Sequence, residues 1–96
     1  MTDIRVELEE ERAKNMEFSV EVNEGGTSSN HRVTVENDDY QQLAPEGISC
    51  QELVAESFRF LLEREPKSSI LSGFDLTVIG NYFPEYENEI TERLQG

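Results

Sequence analysis

Apolar residues fall on alternate positions up to Glu36 and on every third or fourth position beyond it. A strand shows its side chains to opposite faces in turn, whereas a helix returns to one face about every 3.6 residues. A chain that keeps the two periods in separate halves is directed to the α+β class. The predicted architecture is a small antiparallel β-sheet of two to three strands, packed on one long amphipathic helix and followed by short C-terminal helices. Strands occupy residues 1–36 and helices residues 37–96, within a single domain spanning residues 1–96.

The helical half is centred on Ser49–Arg64. Ser49 followed three residues later by Glu52 forms a capping box, which satisfies backbone N–H groups at a helix start. Cys50, Leu53, Val54, Ser57, Phe58, Leu61 and Leu62 share one stripe. Pro66 ends the helix near Glu65. Phe60 lies off the stripe beside Arg59, so it meets either the C-terminal helices or a second chain.

In the strand half, Met16, Phe18, Val20 and Val22 alternate with polar residues, as do His31, Val33 and Val35. The two segments predict an antiparallel pair. The polar run Asn23–Asn30 between them reads as a flexible loop, too long for a two-residue hairpin. Ile4, Val6 and Leu8 also alternate, although this segment could extend as a helix through Ala13. A third strand is needed because a two-stranded ribbon is marginal. It comes from Ile4–Leu8 or from another chain.

Asn37-Asp38-Asp39 is a cap cluster for one helical turn ending at Leu43, broken by Pro45-Glu46-Gly47. In the tail, Asp75 is placed to cap a helix over Leu76–Tyr82, and Pro84 opens a last helix bearing Tyr86, Ile90 and Leu94. The cluster Phe74, Tyr82, Phe83 and Tyr86 reads as packing.

The chain has 21 acidic and 8 basic residues, a net charge of −13. That field repels nucleic-acid phosphate and anionic lipid and favours a basic partner. One cysteine makes no internal disulfide, and Cys50 on the apolar stripe reads as a buried small hydrophobe. The single histidine, His31, has no second histidine or cysteine near it in sequence, so neither a metal nor another cofactor is expected. No signal peptide and no membrane span is recognisable, and a cytoplasmic protein is expected. Nucleophile motifs, His–carboxylate pairings and dinucleotide fingerprints are not seen, so an enzyme is not expected.

The order strand, short helix, breaker and long capped helix over Arg32–Arg64 resembles the ribbon–helix–helix regulators. That resemblance implies a strand paired with its dimer mate, with Arg32, Thr34 and Glu36 entering the DNA major groove in an antitoxin-type regulator. The wording Phe60-Leu61-Leu62-Glu63-Arg64-Glu65-Pro66, then Phe74-Asp75-Leu76 and Tyr82-Phe83-Pro84-Glu85-Tyr86, resembles a small family of uncharacterised bacterial proteins and implies no particular activity. The function expected from the residues is a non-enzymatic acidic protein-interaction module. Its partner would be a protein, of which the charge favours a basic one, or a second copy in a homodimer, with duplex DNA not the main ligand. Arg32, Thr34, Glu36 and Phe60 are the candidate contact residues.

Overall fold

The computed structural model describes Thr2–Gln95. Three ten-residue strands, β1 (Thr2–Glu11), β2 (Asn15–Glu24) and β3 (Thr27–Glu36), form an antiparallel meander. Helices α1 (Asn37–Leu43) and α2 (Cys50–Leu62) follow, then a 3-10 turn at Lys67–Ser69. A short strand, β4 (Gly73–Asp75), returns to pair in parallel with Arg32–Thr34 of β3. Helices α3 (Val78–Tyr82) and α4 (Tyr86–Gln95) complete the fold. The class is α+β, but the sheet is mixed and has four strands in the order β1-β2-β3-β4, rather than two or three antiparallel ones.

Period-2 patterning places Val6, Phe18, Val20, Val22, Val33 and Val35 on one face, where all are buried. Leu53, Val54, Phe58 and Leu61 of α2 pack against that face. Ile4–Leu8 is strand, with Val6 opposite Val20 and Leu8 opposite Phe18. Burial of each large apolar side chain here contributes about 1.5–3 kcal/mol.

The loop expected over Asn23–Asn30 is instead a two-residue turn. Glu24 pairs with Thr27, and Gly25 and Gly26 between them take φ of 61° and 83°. Positive φ at both central residues defines the tight turn whose twist matches a hairpin, and glycine adopts it without a Cβ clash. The polar residues flanking the turn are strand residues near the end of the sheet.

The Ser49 hydroxyl accepts the N–H of Glu52 at 3.1 Å and caps α2, which is one half of the expected capping box; among the described residues the Glu52 carboxylate makes no return bond to the Ser49 N–H. The expected Asn37-Asp38-Asp39 cap does not form: Glu36 is the N-cap of α1 and makes no side-chain cap bond. Asn37 instead donates Nδ2–H to the Ala13 carbonyl at 3.1 Å and ties α1 to the β1–β2 turn. Asp75 ends β4 rather than opening a helix at Leu76. Its carboxylate accepts from the Thr77 backbone N–H at 3.0 Å and the Thr77 hydroxyl at 2.7 Å, and α3 begins after that turn.

Two buried polar groups lock the tail onto the core. The Nδ1 of His31 lies 2.7 Å from the Leu71 carbonyl, which can only accept, so Nδ1 carries a proton there. The Ser57 hydroxyl donates to the Leu53 carbonyl at 2.7 Å. With that hydrogen committed, the Tyr86 hydroxyl must be the donor across the 2.7 Å contact to Ser57. Burial pushes the Tyr86 hydroxyl up from its ordinary value, against the Ser57 hydrogen bond.

Candidate interaction surface

Because the helices cover one face of the sheet, the other face carries the polar half of each alternation: Arg5 and Glu7 on β1, Glu17, Ser19 and Glu21 on β2, and Arg32, Thr34 and Glu36 on β3. Arg32 is exposed but ion-paired across the ladder with Glu17, which also meets Arg12 at 3.4 Å. The Arg32 hydrogen bond holds the Glu17 carboxyl below its ordinary range against the opposing effect of burial, with the Arg12 guanidinium adding a smaller pull in the same direction. Thr34 and Glu36 are half-buried. The three residues share one strand, but β3 lies between β2 and β4 of its own chain. The ribbon–helix–helix resemblance implied a strand free to pair with a dimer mate, and β3 pairs internally instead.

Phe60 is fully buried and resolves in favour of the C-terminal helices. Its ring meets Phe83 edge-on at 5.9 Å and Tyr86 at 5.3 Å, and the Arg64 guanidinium covers it at 3.7 Å. It is therefore core, with no surface left for a partner.

A different apolar feature reaches solvent. A cavity of ≈ 150 Å³ opens between the end of α2, the segment Ser69–Leu71, β4 and α3. Leu61, Ile70, Phe74, Val78, Ile79 and Phe83 make its walls and floor. Leu71 and Tyr82 also line it, yet they are 48% and 65% exposed, so two large apolar side chains flank its mouth. Glu65 is the one charged residue of the lining, and it has no ion-pair partner among the described residues. The chain reaches this arrangement because α2 stops at Leu62, and the turn after it carries Glu65 over the cavity before Ile70 returns to the core. Sequence reasoning assigned Tyr82 to packing with Phe83 and Tyr86. Helix α3 is only five residues long and turns Ile79 inward while Tyr82 points out.

A wider, more polar hollow lies between α1, α3 and α4, lined by Asp39, Gln42, Thr77, Asn81 and Glu87 among others. Burial first, then the charges of Asp75, Glu36, Asp38 and Glu87, raise the Asp39 carboxyl above its ordinary value. The folded state thus holds this proton more firmly than the unfolded chain, and stability falls as pH rises through the folded pKa. Asp39→Asn is expected to stabilise the protein by about 0.5 kcal/mol at neutral pH, a modest gain because solvent screens the site. The gain should vanish below about pH 3.8, where the unfolded carboxyl is protonated as well. Denaturant titrations of both proteins at pH 3 and pH 7 check this.

Burial pushes the Cys50 thiol up to about 12, so at neutral pH the group is a thiol and not a thiolate nucleophile. Among the described residues no group of three or more His, Cys, Asp and Glu is placed to hold a metal ion, and no helix is long and apolar enough to cross a membrane. Comparison with protein-family models, curated proteins and solved structures found no match.

Proposed function

We propose that this chain is a non-enzymatic binding module that takes a basic protein segment into the cavity between α2, β4 and α3. The observation that carries the reading is that Leu71 and Tyr82, both exposed, line an apolar opening whose one charged group is Glu65, without an ion-pair partner among the described residues. Exposed large apolar side chains grouped round a concavity mark interaction sites more often than scattered ones do. An apolar cavity of about 150 Å³ accommodates a benzene-sized guest, which matches one Leu or Phe side chain. Glu65 favours a lysine or arginine next to that anchor, and the net charge of −13 steers a basic partner toward the molecule.

The DNA-binding alternative draws on Arg32, Thr34 and Glu36. With Arg32 engaged by Glu17 and Glu36 itself acidic, that face offers phosphate little attraction.

A peptide array carrying Leu or Phe between lysine and arginine residues tests the proposal, with glutamate-flanked versions as the comparison. Binding is expected to the basic set alone and to weaken with salt. Leu71→Asp should lower affinity by about tenfold or more, as expected for loss of a packed contact residue. Equal retention by wild type and Leu71→Asp, or retention of the acidic set, would remove the cavity from consideration.

A further inference from the structure

The opposite edge of the sheet carries an independent surface. The tight turn at Gly25–Gly26 makes Glu24 and Thr27 a hydrogen-bonded pair. Even-numbered residues of β2 therefore bond to β3, and odd-numbered ones to β1. Through the register Asp3–Asn23, Arg5–Glu21 and Glu7–Ser19, the backbone groups of Asp3, Arg5 and Glu7 point into the sheet. Those of Ile4, Val6 and Leu8 point outward along a free edge. The Gln51 side chain confirms the direction, since its Nε2–H reaches the Val6 carbonyl at 2.5 Å from α2. A carbonyl oxygen has two lone pairs, so one remains open.

That edge is bounded. A bulge interrupts β1 between Leu8 and Glu10, and the carboxylate of Glu9 turns back to accept the Ser19 hydroxyl at 2.7 Å. Bulges and charges on an edge limit pairing, and here they confine it to Ile4–Leu8. Within that window the apolar side chains are incompletely covered: Leu8 is 49% exposed, and Ile4 and, beside it on α2, Leu62 are half-buried.

We infer that the edge of β1 pairs antiparallel with β1 of a second copy, about a two-fold axis at Val6. In this register Ile4 lies opposite the partner's Leu8, covering the exposed apolar pair. Arg5 lies opposite the partner's Glu7, and the symmetry repeats that ion pair. Arg5 is free for it, since its contact with Asp3 is 3.7 Å long between side chains 70% and 63% exposed. Asp3 would face the partner's Glu9, but the Ser19 hydrogen bond draws that carboxylate off the edge. A basic strand from an unrelated protein would also suit the acidic end of β1, but it would leave Arg5 facing a like charge. A second copy matches both signs. The result is a continuous eight-stranded sheet with β4 at each end.

The pairing is short and joins two chains of net charge −13, so the dimer is a weak one, populated at about micromolar concentrations and above. Sedimentation equilibrium across a dilution series reads it directly, alongside hydrogen exchange at the Ile4, Val6 and Leu8 amides. Wild type should dimerise, and those three amides should gain protection with concentration. Arg5→Glu and Glu7→Arg should each weaken the dimer by about tenfold or more, because each reverses two cross-strand charge pairs. The double variant R5E/E7R should recover the wild-type constant within about threefold. Both positions are exposed, and unchanged circular dichroism verifies that the variants are folded. A monomer up to about 1 mM, a dimer insensitive to the single charge reversals, or a double variant no better than the singles overturns the inference. None of these outcomes depends on the cavity at the other edge.

Discussion

Replacing Phe58 by alanine is expected to cost about 3–5 kcal/mol, the range for an aromatic side chain deleted from a packed core. Phe58 is fully buried. Its ring lies 5.4 Å from that of His31 on β3 and 6.0 Å from that of Phe74 on β4. One side chain therefore joins α2 to the meander and to the strand that closes the sheet. Single domains have roughly 5–15 kcal/mol in all, so the variant should lie near the limit of folding at 37 °C. A drop in melting temperature of about 15 °C or more is expected at this chain length. Phe58→Leu should recover much of the loss, because it restores most of the volume. A melt for the alanine variant within about 2 °C of wild type would place Phe58 outside the core.

Phe58 also shows which parts of the fold could be read in advance. Its place on the stripe with Leu53, Val54 and Leu61 was legible, because one face of α2 meets one face of the sheet and burial then follows period. Strands β2 and β3 were legible for the same reason, from Met16 through to Val33 and Val35, whereas Ile4, Val6 and Leu8 alternate but left a helix through Ala13 open. The strand lengths were not legible. Asn23, Glu24 and Thr27–Asn30 are polar and look like loop, yet they extend the ladder to a turn defined by two glycine backbones. Strand β4 has three residues and one apolar side chain, too few to show a period. It exists because the segment passes beside Arg32–Thr34 and bonds to their backbone, with Arg32 N–H to Ser72 O at 2.8 Å and Leu76 N–H to Thr34 O at 2.9 Å. The cavity was hidden for a related reason. Leu71 and Tyr82 come together only after β4 has folded back, and Tyr82 stands beside Phe83 in sequence while facing the other way.

Phe60→Ala is expected to be as damaging as Phe58→Ala, although Phe60 stands on the arc of α2 that looked polar. A stripe calculation assumes that a helix has one buried side. Helix α2 has two, the sheet on one side and α4 on the other, and Phe60 belongs to the second. Its ring is enclosed by Phe83 and Tyr86, capped by the Arg64 guanidinium at 3.7 Å, and approached by Arg93 at 5.7 Å. The two arginines are held by acids from both helices: Arg64 by Glu89 at 3.0 Å, and Arg93 by Glu56 at 3.3 Å and Glu89 at 2.6 Å. Truncation would leave a cavity costing about 3–5 kcal/mol and also remove the cation–π contact, worth about 0.5–2 kcal/mol. The ion pairs are partly exposed and would offset little of this. The loss should be local before it is global. In hydrogen exchange, amides of Tyr86–Gln95 should lose protection ahead of those in Asn15–Glu24, because α4 docks through Phe60 whereas β2 is held by ladders on both sides. Phe60→Leu should lie between the two proteins, keeping volume but losing the ring. If Phe60→Ala left α4 protection and the melting temperature intact, the ring would not be what holds α4 to α2.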